Sequence, residues 1–195
     1  MINRFDLGFL ILISYFVSAI PFGVVVSKLK GVDLSTIGSG NTGATNVYRA
    51  LGIKYAVIVF LLDGIKGWGA TYLAINIIEQ SWAHVCIGFI AIIGHSLSCF
   101  VKFKGGKGAA TGIGVIFALS PLIGLIVSIL AALIIYVTRY VSLATILCSL
   151  GTPVLFYVLD YPLAYTIFLL VICFFIVYRH KSNISRLLKG KENKI

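Results

Sequence analysis

The chain has 195 residues, of which 59% are hydrophobic and only 11% charged, and its mean hydropathy is +1.05. A soluble core of that size cannot bury so much apolar surface, so lipid must cover much of it. The formal net charge of +10 does not indicate nucleic acid, because the 16 lysines and arginines fall mostly into short segments between apolar runs, as they do in the cytoplasmic loops of membrane proteins.

In chain order, the first apolar run covers 7–27. It follows Arg4 and Asp6, precedes Lys28 and Lys30, and lacks a small-residue cleavage site, so it reads as a retained membrane helix and not a signal peptide. A basic, glycine-rich segment then leads to a second run at 53–78, which carries Asp63 and Lys66. Spaced three apart on one helical face and costly alone in lipid, these two are expected to pair. A third run covers 82–101. After the lysines of 102–107, the stretch 111–138 is too long for one comfortable span and is interrupted by Gly112, Gly114, Pro121 and Gly124. Runs at 140–159 and 163–178 follow, and then a basic tail.

With all three basic segments on the cytoplasmic side, the charge rule is met if 111–138 breaks near Ser120-Pro121 into two short helices. The expected architecture is therefore an all-α polytopic membrane protein of about seven helices, N-terminus outside and C-terminus cytoplasmic, forming a single domain over 1–195. The rival count is five full spans plus a re-entrant hairpin. Cys86, Cys99, Cys148 and Cys173 lie in or at the ends of apolar runs without CxxC spacing and read as small buried hydrophobes.

The chemistry concentrates in the three basic segments. In the first, Gly38-Ser39-Gly40-Asn41-Thr42-Gly43-Ala44-Thr45-Asn46-Val47-Tyr48-Arg49, the glycines let backbone amides approach a ligand. Ser39, Asn41, Thr45 and Asn46 add short polar side chains, and Arg49 a fork suited to phosphate. In the second, Lys104-Gly105-Gly106-Lys107-Gly108 runs into a helix, so lysines, free amides and a positive dipole end are expected to form an anion site. It is no Walker A loop, because Gly108 stands where a magnesium-binding Ser or Thr would be. In the third, Asn183 and Arg186 share a helical face near His180. The plainer alternatives are a simple turn, headgroup anchors and a topology signal.

Together, GSGNTGATNVYR at 38–49, FKGGKGAAT at 103–111 and HKSNISRLLKGKE at 180–192, with SAIPFG at 18–23, LDGIKG at 62–67 and RYVSLA at 139–144, resemble the signature of the bacterial acyl-phosphate-dependent glycerol-3-phosphate acyltransferases, the PlsY family. The resemblance implies transfer of a fatty acyl group from acyl phosphate to the sn-1 hydroxyl of glycerol 3-phosphate, giving lysophosphatidate at the cytoplasmic face of the plasma membrane. It implies no coenzyme A donor, no cofactor and no metal, and a separate soluble enzyme that forms the acyl phosphate. Ser35, where the family commonly has Arg, and Ser98-Cys99, in place of an aromatic-Pro pair, depart from the pattern.

No histidine is followed five residues later by an acid, and no Ser-His-acid set suggests itself among only six acidic residues, so a covalent acyl-enzyme is not expected. An activated donor needs positioning and charge neutralisation, for which Lys107, Arg49, Asn183 and Arg186 are the candidates. The base is either His180 or a substrate phosphate oxygen. An anion transporter is the rival class, but nearly all candidate ligands lie at one face and not at mid-membrane.

Overall fold

A computed structural model describes residues 4–195, and among them every regular element is helical. The first span is kinked: α1 (Arg4–Ala19) gives way to α2 (Phe22–Lys28) at Pro21, which has no N–H to continue the helix. A 3-10 turn at Leu34–Thr36 and the amphipathic α3 (Ala44–Leu51) build the first loop. Val47, fully buried, fastens α3 to Leu34 and Val59. Gly52, with φ of +81°, turns the chain into α4 (Ile53–Ile77), followed by α5 (Ser81–Ser96).

The long apolar stretch breaks where its sequence says it should. Ser120 caps α7 (Pro121–Thr138) by accepting from the Ile123 amide at 3.3 Å, and Pro121 occupies the first helical position. One expectation is corrected: only α6 (Ala109–Leu119) is short, whereas α7 has 18 residues, enough to cross a bilayer. Then come α8 (Val141–Val158), α9 (Leu163–Arg179) and α10 (Lys181–Leu188), which bends 61° from α9. Helices α6 and α8 end together, since the Ser120 hydroxyl lies 2.6 Å from the hydroxyl of Tyr161 in the α8–α9 turn. With 11 residues against 18, α6 rises about 10 Å less than α8 on the way there.

A cluster from α5 to α9, centred on Ile92, Val115, Ile123, Phe156 and Leu169, forms the main core. Small residues bring α4 and α6 into backbone contact: a Cβ on Gly67 would overlap the Thr111 carbonyl, and one on Gly114 the Gly64 carbonyl. Asp63 and Lys66 pair as expected, at 2.7 Å, with side chains 2% and 3% exposed. Lys66 also donates to the Ile20 carbonyl at 2.9 Å, filling an acceptor at the Pro21 kink that lipid could not satisfy. Ser98 similarly donates to the Ala19 carbonyl at 2.5 Å, so this departure from the family pattern serves the same break.

Candidate active site

The three basic segments meet around one cavity of about 200 Å³. Ser39, Asn41, Thr45, Asn46 and Arg49 border it from the first loop and α3; Lys107 borders it from the second loop, and His180, Asn183 and Arg186 from the third. Past this polar mouth the cavity continues as an apolar channel between α7, α8 and α9, walled by residues such as Val127, Ile135, Cys148, Leu169 and Ile172.

Several expected phosphate contacts fall elsewhere. The Gly105 amide donates to Ser96 O at 3.1 Å and the Gly106 amide to His95 O at 3.2 Å, so neither is free for an anion. These glycines are needed for packing: a Cβ at Gly105 would strike the His95 carbonyl, and one at Gly106 the His95 ring. Lys104 is exposed and does not border the cavity, and Gly40, also exposed, serves a turn with φ of +65°. Asn46 does border the cavity, but its buried amide braces the first loop, accepting from the Ser39 amide at 3.0 Å and donating to Leu34 O at 3.2 Å. Asn41 steadies the same loop against the second, donating to Gly105 O at 3.4 Å.

Three residues absent from the sequence expectations organise the site. Glu192 returns from the tail with its side chain 4% exposed. It accepts from Asn183 at 2.6 Å, Arg186 at 2.7 Å and Ser142 at 2.8 Å. Burial pushes its carboxyl up, but these bonds and the Arg186 charge more than compensate and hold it below the ordinary range. Asn183 in turn accepts from the Lys107 ammonium. Arg179 donates to the carbonyls of Ser96, Gly105 and Gly106. Glu192 is a lone acid in a basic tail and Ser142 lies within RYVSLA, so each left a faint mark in the sequence.

Burial, together with the charges of Arg186, Arg179 and Arg49, pushes Lys107 down to about 8 against the pull of Glu192. Burial also pushes His180 down to about 4, helped by Lys107 and Arg179. His180 Nδ1 donates to Ile176 O at 2.8 Å, which leaves Nε2 unprotonated as an acceptor. Among the described residues no histidine is hydrogen-bonded to a serine hydroxyl. His84 lies between Tyr165 and Ile78 O, and His95 lies 3.4 Å from Asp63.

Two expected results follow. Turnover should need protonated Lys107, so kcat/KM should fall as pH rises through about 8. A profile flat across that value would detach catalysis from this charge. Arg49→Lys keeps the charge but loses the planar fork, worth about one charge-assisted hydrogen bond, so steady-state assays should show roughly a tenfold drop in kcat/KM.

The arrangement is a cationic pocket joined to an apolar channel, in a chain with well-characterised likenesses. Residues 8–190 match the family model for glycerol-3-phosphate acyltransferase. A glycerol-3-phosphate acyltransferase of Aquifex aeolicus is 44% identical, the alignment covering 95% of this chain and 97% of that one. One from Fusobacterium nucleatum is 45% identical, over 94% and 95%. The crystal structure of PlsY, an integral membrane glycerol 3-phosphate acyltransferase, in its glycerol 3-phosphate form superposes with a TM-score of 0.94 at 43% identity, over 97% of this chain and 96% of that one. The lysophosphatidic acid form gives 0.92 at 42% identity, over 97% and 95%.

Proposed function

The chain belongs to the glycerol-3-phosphate acyltransferase family, and on that premise we infer that the cavity is its active site. The protein transfers a fatty acyl group from acyl phosphate to the sn-1 hydroxyl of glycerol 3-phosphate, giving lysophosphatidate and inorganic phosphate, an early step of phospholipid biosynthesis. The observation that carries this reading is the continuity of the Arg49–Lys107–Arg186 mouth with the channel between α7, α8 and α9. One end takes phosphate and the other an acyl chain.

Acyl phosphate is already activated, so the work left to the protein is to align two substrates and neutralise charge as phosphate departs. Lys107 and the two arginines supply that charge. Asn183, held by Glu192 and Lys107, fixes its amide beside them. A phosphate monoester, with a second pKa of about 6, is a stronger base than His180 at about 4. A substrate phosphate oxygen therefore takes the proton from the attacking hydroxyl, while His180 Nε2 orients that hydroxyl.

The charge pattern of the basic loops supports a site at the cytoplasmic face of a bacterial plasma membrane with the N-terminus outside, and on this reading a separate soluble enzyme delivers acyl phosphate. Purified protein given acyl phosphate and glycerol 3-phosphate should release inorganic phosphate and lysophosphatidate in equal amounts. Turnover with acyl-CoA and none with acyl phosphate would refute the donor. Labelling of a Lys191→Cys variant from outside intact cells would reverse the orientation.

A further inference from the structure

We propose that Arg179 is a positioning residue for Lys107, acting through the backbone of the second loop and not on substrate. The inference rests on the active-site reading above and on the place of Lys107 within it.

The second loop does not hold its shape by its own preferences. Lys102 and Phe103 are consecutive non-glycine residues in the left-handed region, with φ of 53° and 61°, and Gly108 closes the segment at φ of 85°. Backbone of this kind persists only where surrounding contacts determine it. Two of those contacts are the amides of Gly105 and Gly106, spent on the end of α5. Asn41 adds a longer bond to Gly105 O at 3.4 Å, and the central contact is Arg179, whose Nη2 donates to Ser96 O at 3.2 Å, Gly105 O at 3.2 Å and Gly106 O at 3.0 Å.

One guanidinium therefore draws together the C-terminal end of α5 and both peptides that precede Lys107, and its charge suits the exposed carbonyls of a helix end. Arg179 does not border the cavity. It is also the residue before His180, so the end of α9 sets the histidine and the loop from one place. The seat it holds is narrow, since Gly106 rests against the His95 ring with no room for a Cβ. Without Nη2 the Gly106 carbonyl loses its donor and the Gly105 carbonyl keeps only the longer bond from Asn41 at 3.4 Å, so the peptides rotate and Lys107 moves off Asn183.

A double-mutant cycle of Arg179→Lys with Lys107→Ala, on protein purified in detergent, tests this. All three contacts come from Nη2 alone, a donor that the planar guanidinium holds in place; Arg179→Lys keeps the charge, but its more strongly hydrated ammonium on a flexible stem is not pre-organised at that point. Alone it should lower kcat/KM by roughly tenfold, dividing the loss between kcat and KM as Lys107→Ala does. In the Lys107→Ala background it should cost less than about twofold. The same full loss in both backgrounds overturns the inference. An unaffected Lys107→Ala overturns the active-site reading and this inference with it. If Arg179→Lys does not survive purification, Arg179→Gln enters the same cycle, and loss of both variants assigns Arg179 to folding alone and overturns the inference.

Discussion

Replacing Lys107 by alanine should lower kcat/KM roughly ten- to a hundredfold, the value of a charge-assisted contact of about 1.5–3 kcal/mol. From sequence, Lys107 reads as a solvated residue at a loop–helix junction whose removal strands nothing. The structure corrects this, because Lys107 is half-buried and donates to the Asn183 side chain. The variant therefore leaves that oxygen without a donor and should lose about 1 kcal/mol of stability as well. Asn183 keeps its bond to Glu192, so the fold should survive. Assays at subsaturating glycerol 3-phosphate, read beside thermal unfolding in detergent, separate the two effects. Wild-type activity would return the basic loops to the role of topology signals.

The second large effect is expected at Asp63. Asp63→Ala leaves the ammonium of Lys66, whose side chain is 3% exposed, without its counter-charge among apolar helices. Removing one partner of a buried pair typically costs about 3–5 kcal/mol. Lys66 would keep the Ile20 carbonyl, a dipole too weak to replace a carboxylate. Removing both charges in Asp63→Leu/Lys66→Met should recover most of the loss, short of the bond at the Pro21 kink. Thermal midpoints of the two variants decide the matter: equal values would mean that charge pairing contributes nothing there.

What the sequence disclosed follows from the range of the interactions involved. Apolar runs, the Ser120-Pro121 start of α7 and the Asp63–Lys66 pair rest on neighbours within a few residues, and all were legible. The Pro21 kink was available in SAIPFG, but the run 7–27 reads as one helix because hydropathy does not register a missing N–H. Composition marked the basic loops as a candidate phosphate site without showing which donors remain free. Gly105 and Gly106 look like an anion cradle until their amides are found on Ser96 and His95. The Arg179–Gly105 and Ser142–Glu192 bonds join residues 74 and 50 positions apart, and no local pattern announces them. The apolar channel was hidden because its walls, such as Ile135 and Leu169, look like any other membrane-helix residues.

The shortness of α6 decides where the second loop sits. Since α6 and α8 finish together at Ser120 and Tyr161, the missing rise of about 10 Å is made up at the other end. There the second loop descends between the helices, its Gly105, Gly106 and Gly108 buried. Lys107 is therefore presented between the helices, its ammonium joined through Asn183 and Glu192 to Ser142 in the first turn of α8. Each methylene that stays in hydrocarbon spares about 0.8 kcal/mol of exposure to water. On the proposed reading, a donor whose chain fills the apolar channel keeps those methylenes out of water, while the loop that the short helix carries meets its phosphate at the mouth.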